Sequence, residues 1–411
     1  MSIDRWCVVG HPRRGRRLLI GFLVLAAWAM AGCDWTQAGF NGGASYYNRY
    51  ESGLTASTVG SLHEVFSSAL PANRSGDPIV VRGKVIVASR DGSVASVSAF
   101  AAGTGTPAWT ATIPGDAARI TAPVSDGSRV FVGADVDSSS TVLALDVADG
   151  SVVWTAGPDD PASVASLVVT NGRLVAGFDS WRDPMAVDPS TGATIWSQHD
   201  QHFAAGSPLV TGDGRIVKQW TVPFDTNHPP ILHFDLPHGE IIDSADGSLG
   251  FTWGSDVPEP APSFYIAYGD SLIGTDGSGN TIAANGDDPY GDGWSAPVCC
   301  ARATNGDVVL VGYGPPGWTA LDLQDGATRY EIPAPAGMTG SSQPTFAASL
   351  LYVVTTDANG STLRTFDAAT GVAVSSLPVP ITAASSRTSV IVANGRVYLT
   401  AGDSLHAYAT A

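Results

Sequence analysis

The chain of 411 residues is poor in positive charge, in cysteine and in helical periodicity, and each shortage closes off a class of function. Only two lysines, Lys84 and Lys218, stand among 21 basic residues, against 38 acidic ones, for a net charge of −17. A phosphate backbone demands clustered Lys and Arg, so no nucleic-acid partner is expected, and bare anionic lipid is a poor partner. Four cysteines, Cys7, Cys33, Cys299 and Cys300, are too few for a disulfide scaffold. No stretch beyond residue 33 sustains an apolar period of 3.6 residues, so a helix-rich domain has no place. There is no Gly-x-Ser-x-Gly elbow for a serine hydrolase and no Cys-x-x-Cys-His for haem attachment. His199, His202, His228, His233 and His238 crowd one region, but their spacing repeats no metal pattern. Neither a metal site nor a catalytic residue set is expected.

What is present begins with a leader. Arg13, Arg14, Arg16 and Arg17 precede an uncharged apolar run over 18–30, and Ala31-Gly32-Cys33 closes it. The run is too short to span a bilayer, which takes about 20 apolar residues, and fits the core of a signal peptide. Small residues directly before a cysteine form a lipobox, where the cysteine is acylated and becomes the new N-terminus. Residues 1–32 are therefore read as a lipoprotein signal peptide, Cys33 as the lipidated residue, and 33–61 as a lead-in segment. The alternative is an ordinary signal peptide cut nearby.

The rest of the chain repeats. A strand, a tight turn and a second strand recur around Arg82-Gly83, Asp126-Gly127, Asn171-Gly172, Asp213-Gly214, Asn305-Gly306 and Asn394-Gly395, with weaker copies at Gly269-Asp270 and Ala348-Ser349. Asn-Gly and Asp-Gly supply the positive φ angles of a two-residue hairpin, and the period is about 44 residues, in the range of stacked repeat folds. A second unit follows in each repeat: a small residue, Asp two positions on, Gly four after that, and an aromatic four further. Ala144-x-Asp146 to Gly150 and Trp154, and Ala186-x-Asp188 to Gly192 and Trp196, are its best copies. Phe251 and Tyr330 keep the spacing, and Trp109 keeps it with Ala101 in place of Asp. The Asp caps the turn, the Gly takes the left-handed position, and the aromatic offers a flat surface to a neighbouring unit. Two hairpins per period make four strands. A lone four-stranded unit cannot bury both faces, and radial stacking of such units is a β-propeller. The expectation is an all-β, eight-bladed β-propeller of four-stranded antiparallel blades over 62–411, with the strand at 62–67 completing the last blade and closing the ring.

The small-x-Asp-x-x-x-Gly-x-x-x-Trp unit resembles the tryptophan-docking repeat of the pyrroloquinoline-quinone (PQQ) enzymes and their cofactor-free relatives, the PQQ-like propellers. Asp34-Trp35 to Phe40, with Tyr47-Asn48 and Glu51 to Thr55, resembles the opening of such chains. The resemblance implies that Trp109, Trp154, Trp196, Phe251 and Tyr330 are structural blade-docking residues. Cys299-Cys300 follows Pro297 at the start of an innermost strand, which puts it near the channel mouth. The PQQ alcohol dehydrogenases carry an adjacent-cysteine disulfide near the cofactor, so the resemblance implies a vicinal disulfide here; the alternative is two reduced thiols. The remaining groups of a PQQ and Ca²⁺ site have no counterpart in the sequence, and no cofactor is expected.

The acidic, glycine-rich loops at 276–280 and 285–292, and Asp135 with Asp137, are read as turn chemistry ahead of Ca²⁺ ligation. The insertion over 220–240 is the most distinctive surface. These features lead to an extracytoplasmic, membrane-anchored lipoprotein whose propeller binds an envelope protein or glycan. Two alternatives are a PQQ-dependent dehydrogenase-like enzyme and a lipoprotein of outer-membrane-protein assembly.

Overall fold

A computed structural model describes residues 34–411 apart from 72–75, 138, 158–162, 180–183, 198–207, 212–213, 222–236, 243, 247–248, 254–262, 270, 276–279, 286–292, 299, 313–316, 383 and 385–387. The leader, Cys33, Cys299, both acidic loops in large part and the centre of the 220–240 insertion lie outside the described residues. So do His199, His202, His228 and His233.

The described residues form eight sheets, and the fold is an all-β propeller. The first blade shows the pattern. Ile79–Val81, Lys84–Asp91, Val94–Ala101 and Pro107–Ile113 pair antiparallel in sequence order from the axis outward. The turn at Arg82 and Gly83 has φ of +47° and +71°, the left-handed geometry a short hairpin requires. Side chains alternate between the two faces of a strand, and both faces here are buried. Ile86 and Ala88 pack with Val130 and Val132 of the second blade. Val85 and Val87 pack with Ile391 and Tyr398 of the last. Radial stacking thus turns a period-two strand into a run that is apolar throughout. The outermost strand, Pro107–Ile113, alternates between exposed and partly buried positions until its last residue.

The last sheet joins the two ends of the propeller. Ser389–Ala393, Arg396–Ala401 and Ser404–Ala409 supply three strands. The fourth comes from the other end of the chain: His63–Ala69 pairs antiparallel with Ser404–Ala409, from His63 opposite Ala409 to Ala69 opposite Ser404. The strand placed at 62–67 from sequence runs from 63 to 69.

The third-to-fourth strand turns carry the inter-blade joints. In the second blade the Asp146 carboxylate accepts the Ala148 N–H (2.7 Å), and the Gly150 N–H reaches the Asp146 carbonyl (2.9 Å). Gly150 has a φ of +76°. A Cβ there would sit 2.5 Å from the Trp109 ring of the first blade. Gly326 is tighter, with its Cβ position 2.4 Å from the Trp294 ring and a φ of +72°. Gly83 shares the φ but faces open space. Gly83→Ala is therefore expected to cost the left-handed backbone term alone, roughly 1–2 kcal/mol, whereas Gly326→Ala costs more because the indole must also move. Urea unfolding of the two variants measures the difference.

Candidate functional site

The propeller has two ends, and the chain treats them differently. One end carries the first-to-second and third-to-fourth strand turns. The other carries the second-to-third turns and the connections between blades.

At the turn end, aromatic side chains dock most of the described blade pairs. Trp109, Trp154, Trp196 and Trp294 donate their indole N–H to the carbonyls of Val147, Pro189, Ser244 and Leu323, at 3.0, 3.0, 3.0 and 2.8 Å. Each acceptor directly follows the motif Asp of the next blade, at 146, 188, 243 and 322. Tyr330 does the same with its hydroxyl, donating to Ala368 (2.7 Å) while its ring covers Gly371. Burial and the nearby Asp367 push its phenol up to about 12, so it stays a donor at neutral pH. The Asp322 carboxyl is held below the usual range by the Gln324 N–H and by the Arg329 guanidinium. The Phe251 side chain lies outside the described residues.

Three docking contacts were not read from the sequence. Trp294 opens the fourth strand of the fifth blade, Trp294–Ala296, and covers Gly326. The motif turn before it is replaced by 285–293, so the spacing rule passed over it. Where the last blade meets the first, two residues share the work. Phe66 lies over Gly105, and the Tyr398 hydroxyl donates to Ala102 (3.1 Å), the residue after Ala101. Phe66 was discoverable, because an aromatic is due on whichever strand completes the last blade. Where the seventh blade meets the eighth, Ser375 takes the aromatic position, and its hydroxyl reaches the carbonyl of Val59 (3.5 Å). Val59–Ser61 is a short 3-10 turn of the lead-in segment.

The lead-in segment also lines the inner strands at this end. The innermost strand of a blade is a sheet edge, with backbone groups that lack a ladder partner on the axial side. Residues 35–48 run past these edges in blade order. The N–H groups of Val80, Ser125, Val210, Ala267, Thr304 and Phe346 donate to the carbonyls of Trp35, Thr36, Gly42, Gly43, Ser45 and Tyr46, at 2.7–3.0 Å. In the third blade the Gln37 amide serves instead, accepting from the Val169 N–H (2.9 Å) and donating to its carbonyl (3.1 Å). In the eighth, buried Asn48 donates to the Val392 carbonyl (2.8 Å) and Glu51 accepts the Gly395 N–H (3.0 Å). The approach demands glycine: a Cβ on Gly43 would lie 2.0 Å from the Ala267 carbonyl oxygen. Tyr47–Asn48 adds a parallel strand to Thr345–Ala347.

The opposite mouth is built from longer connections. Cys300 stands there, directly before the innermost strand Ala301–Thr304. It is disulfide-bonded, and its partner lies outside the described residues, as the three other cysteines do. If that partner is Cys299, alkylation of native protein without reductant leaves both residues unmodified, and reduction adds two labels to the intact mass. Two labels on the unreduced protein would exclude the bond. Asp135, at the same mouth, accepts from the Ser140 hydroxyl (2.6 Å) and the Val164 N–H (3.3 Å), bracing its blade against the next. Asp137 accepts the Asp116 N–H (3.0 Å). Thr121 and Ser342 accept the N–H groups of Gly133 and Val354 (2.9 Å each), where the innermost strands of the second and seventh blades are interrupted. These polar groups are spent on loop structure. No group of three or more His, Cys, Asp or Glu converges among the described residues.

The family model for the outer membrane protein assembly factor BamB matches residues 31–157, 138–225 and 253–410. The chain belongs to this family of PQQ-like propellers. Solved structures agree on the fold. A quinohemoprotein alcohol dehydrogenase from Comamonas testosteroni superposes with a TM-score of 0.63 at 14% identity, over 93% of this chain and 81% of that one. BamB from Moraxella catarrhalis gives 0.56 at 17%, over 85% and 97%. The C-terminal WD40 domain of Sif2 gives 0.55 at 10%, over 85% and 98%. No curated protein matches the sequence. An enzyme, an assembly factor and a WD40 domain thus share the propeller fold, and the fold alone does not imply one function. No helix among the described residues is long and apolar enough to cross a membrane.

Proposed function

We propose that the protein is a cell-envelope lipoprotein, lipidated on Cys33, whose PQQ-like propeller is a non-catalytic binding or scaffold module for a protein or glycan. The observation that carries this reading is the use made of the channel. At one mouth the chain's own lead-in segment bonds to the inner strand of every blade, and the described polar groups at the other brace loops. A frame of this kind presents a rigid concave face with variable connections around it, which suits recognition.

The family match favours one second reading, a role in outer-membrane-protein assembly. Asp34 directly after the lipidated cysteine weighs against it, since that residue retains a lipoprotein at the inner membrane in Gram-negative sorting. The dehydrogenase reading draws on the docking repeats and on the Cys299-Cys300 pair. Addition of PQQ and Ca²⁺ to purified protein is expected to give no cofactor absorbance band, no thermal shift and no dye-linked alcohol oxidation. A bound quinone with turnover would overturn the scaffold reading, and stoichiometric co-purification with a β-barrel insertase would replace it with the assembly role.

A further inference from the structure

The lead-in segment is docked from its first described residue. The Asp34 carboxylate accepts the Arg82 N–H of the first blade (2.9 Å) and the Asn394 side-chain N–H of the last (3.1 Å). Trp35 is 1% exposed and exchanges both backbone hydrogen bonds with Val80 (2.8 and 2.7 Å). Cys33 directly precedes Asp34 in the sequence. A flexible tether of n residues would let a domain wander over roughly 5–6 Å × √n; here n is zero.

We infer that this slack-free junction sets the orientation of the propeller on the membrane, with the turn end against the lipid headgroups and the mouth that holds Cys300 facing away. The inference rests on the proposed lipidation of Cys33. The attachment itself is the acyl anchor's work, because the acidic chain has little affinity of its own for anionic lipid. Charge placement suits the orientation. Lys84, Arg129, Arg173 and Arg396 each open the second strand of their blade at the turn end, Arg129 being paired there with Asp126 (3.1 Å). Those are the first, second, third and eighth blades, contiguous around Asp34. The carboxylates of the third-to-fourth turns, such as Asp146 and Asp188, lie on strands farther from the axis. Val94–Ala101, eight residues long, separates the two ends of the first blade by about 27 Å at roughly 3.4 Å per residue. A protein or glycan partner would then meet the Cys300 mouth from the aqueous side, and the turn end, against the membrane, would be closed to it.

The test uses full-length lipidated protein in phosphatidylcholine vesicles, with and without phosphatidylglycerol. A fluorophore is placed on Thr104→Cys at the turn end or on Ser93→Cys at the opposite end of the same blade. Both sites are exposed, and Cys300 is disulfide-bonded and does not compete. Headgroup nitroxide lipid is expected to quench the label at 104 several-fold more than the label at 93. A Gly-Ser spacer between Cys33 and Asp34 is expected to remove the difference while flotation with vesicles persists. Protein that floats with equal or reversed quenching overturns the orientation and leaves the anchor standing. Protein that fails to float overturns the anchor and the orientation with it.

Discussion

Trp196→Ala is expected to lower the free energy of unfolding by about 3–5 kcal/mol, the range for deleting a buried aromatic. Trp196 is 8% exposed and packs with Val175, Ala186 and Ile216. Its indole N–H bond to Ser244 is buried. The alanine variant therefore loses apolar contact between the third and fourth blades and strands a buried carbonyl at once. Trp196→Phe separates the two effects. It keeps most of the ring and loses the donor, so the expected cost falls to about 1–3 kcal/mol, that of an unsatisfied buried polar group. Equilibrium urea unfolding followed by far-UV circular dichroism reads both. Equal losses in the two variants would mean that the hydrogen bond dominates the joint. No loss in either would mean that this blade pair is held elsewhere.

The same joint shows what a sequence conveys in a stacked repeat. Asn171-Gly172 announces its hairpin because few residue pairs accept that backbone geometry, whereas Asp126-Gly127 opens a longer turn, with Ser125 opposite Val130 and the Asp126 carboxylate accepting the Ser128 and Arg129 N–H groups. Trp109, Trp154 and Trp196 announce the docking unit because Asp and Gly stand at fixed distances before them. Trp294 was silent because its own turn has no such spacing, although the turn it docks against does. Phe66 and Tyr398 were silent for another reason. They divide one function between strands at opposite ends of the chain, and Tyr398 acts on a carbonyl 296 positions away. The run of lead-in contacts across the inner edges was the least legible part. It is made largely of backbone carbonyls, which every residue has, with the side chains of Gln37, Asn48 and Glu51 acting 132 to 344 residues away. The close approach itself is marked by Gly42-Gly43, and a glycine pair reads first as a loop.

Trp35→Ala is expected to cost about 3–5 kcal/mol as well, and it asks whether the lead-in segment belongs to the propeller's cooperative unit. Trp35 meets Phe40 edge-on at 5.1 Å and packs in the cluster that joins the first and last blades. Unlike Trp196, its indole N–H is buried without a hydrogen-bond partner. Trp35→Phe should therefore lose little, since the phenylalanine removes an unsatisfied donor along with part of the ring. The two tryptophans thus reverse under the same conservative change: Phe is costly at 196 and cheap at 35. If Trp35 merely caps a finished ring, its alanine variant unfolds at the wild-type urea midpoint with a small early transition. If the segment is integral, the whole unfolding curve shifts. The integral outcome is expected, because the segment supplies Val59 to the joint with the seventh blade and continues directly into His63–Ala69, the strand that completes the eighth sheet. Loosening it also uncovers the inner edges of the blades, which then offer unpaired strand groups to other chains. The alanine variant should consequently show more self-association by size-exclusion chromatography at the same concentration, and Trp35→Phe should not.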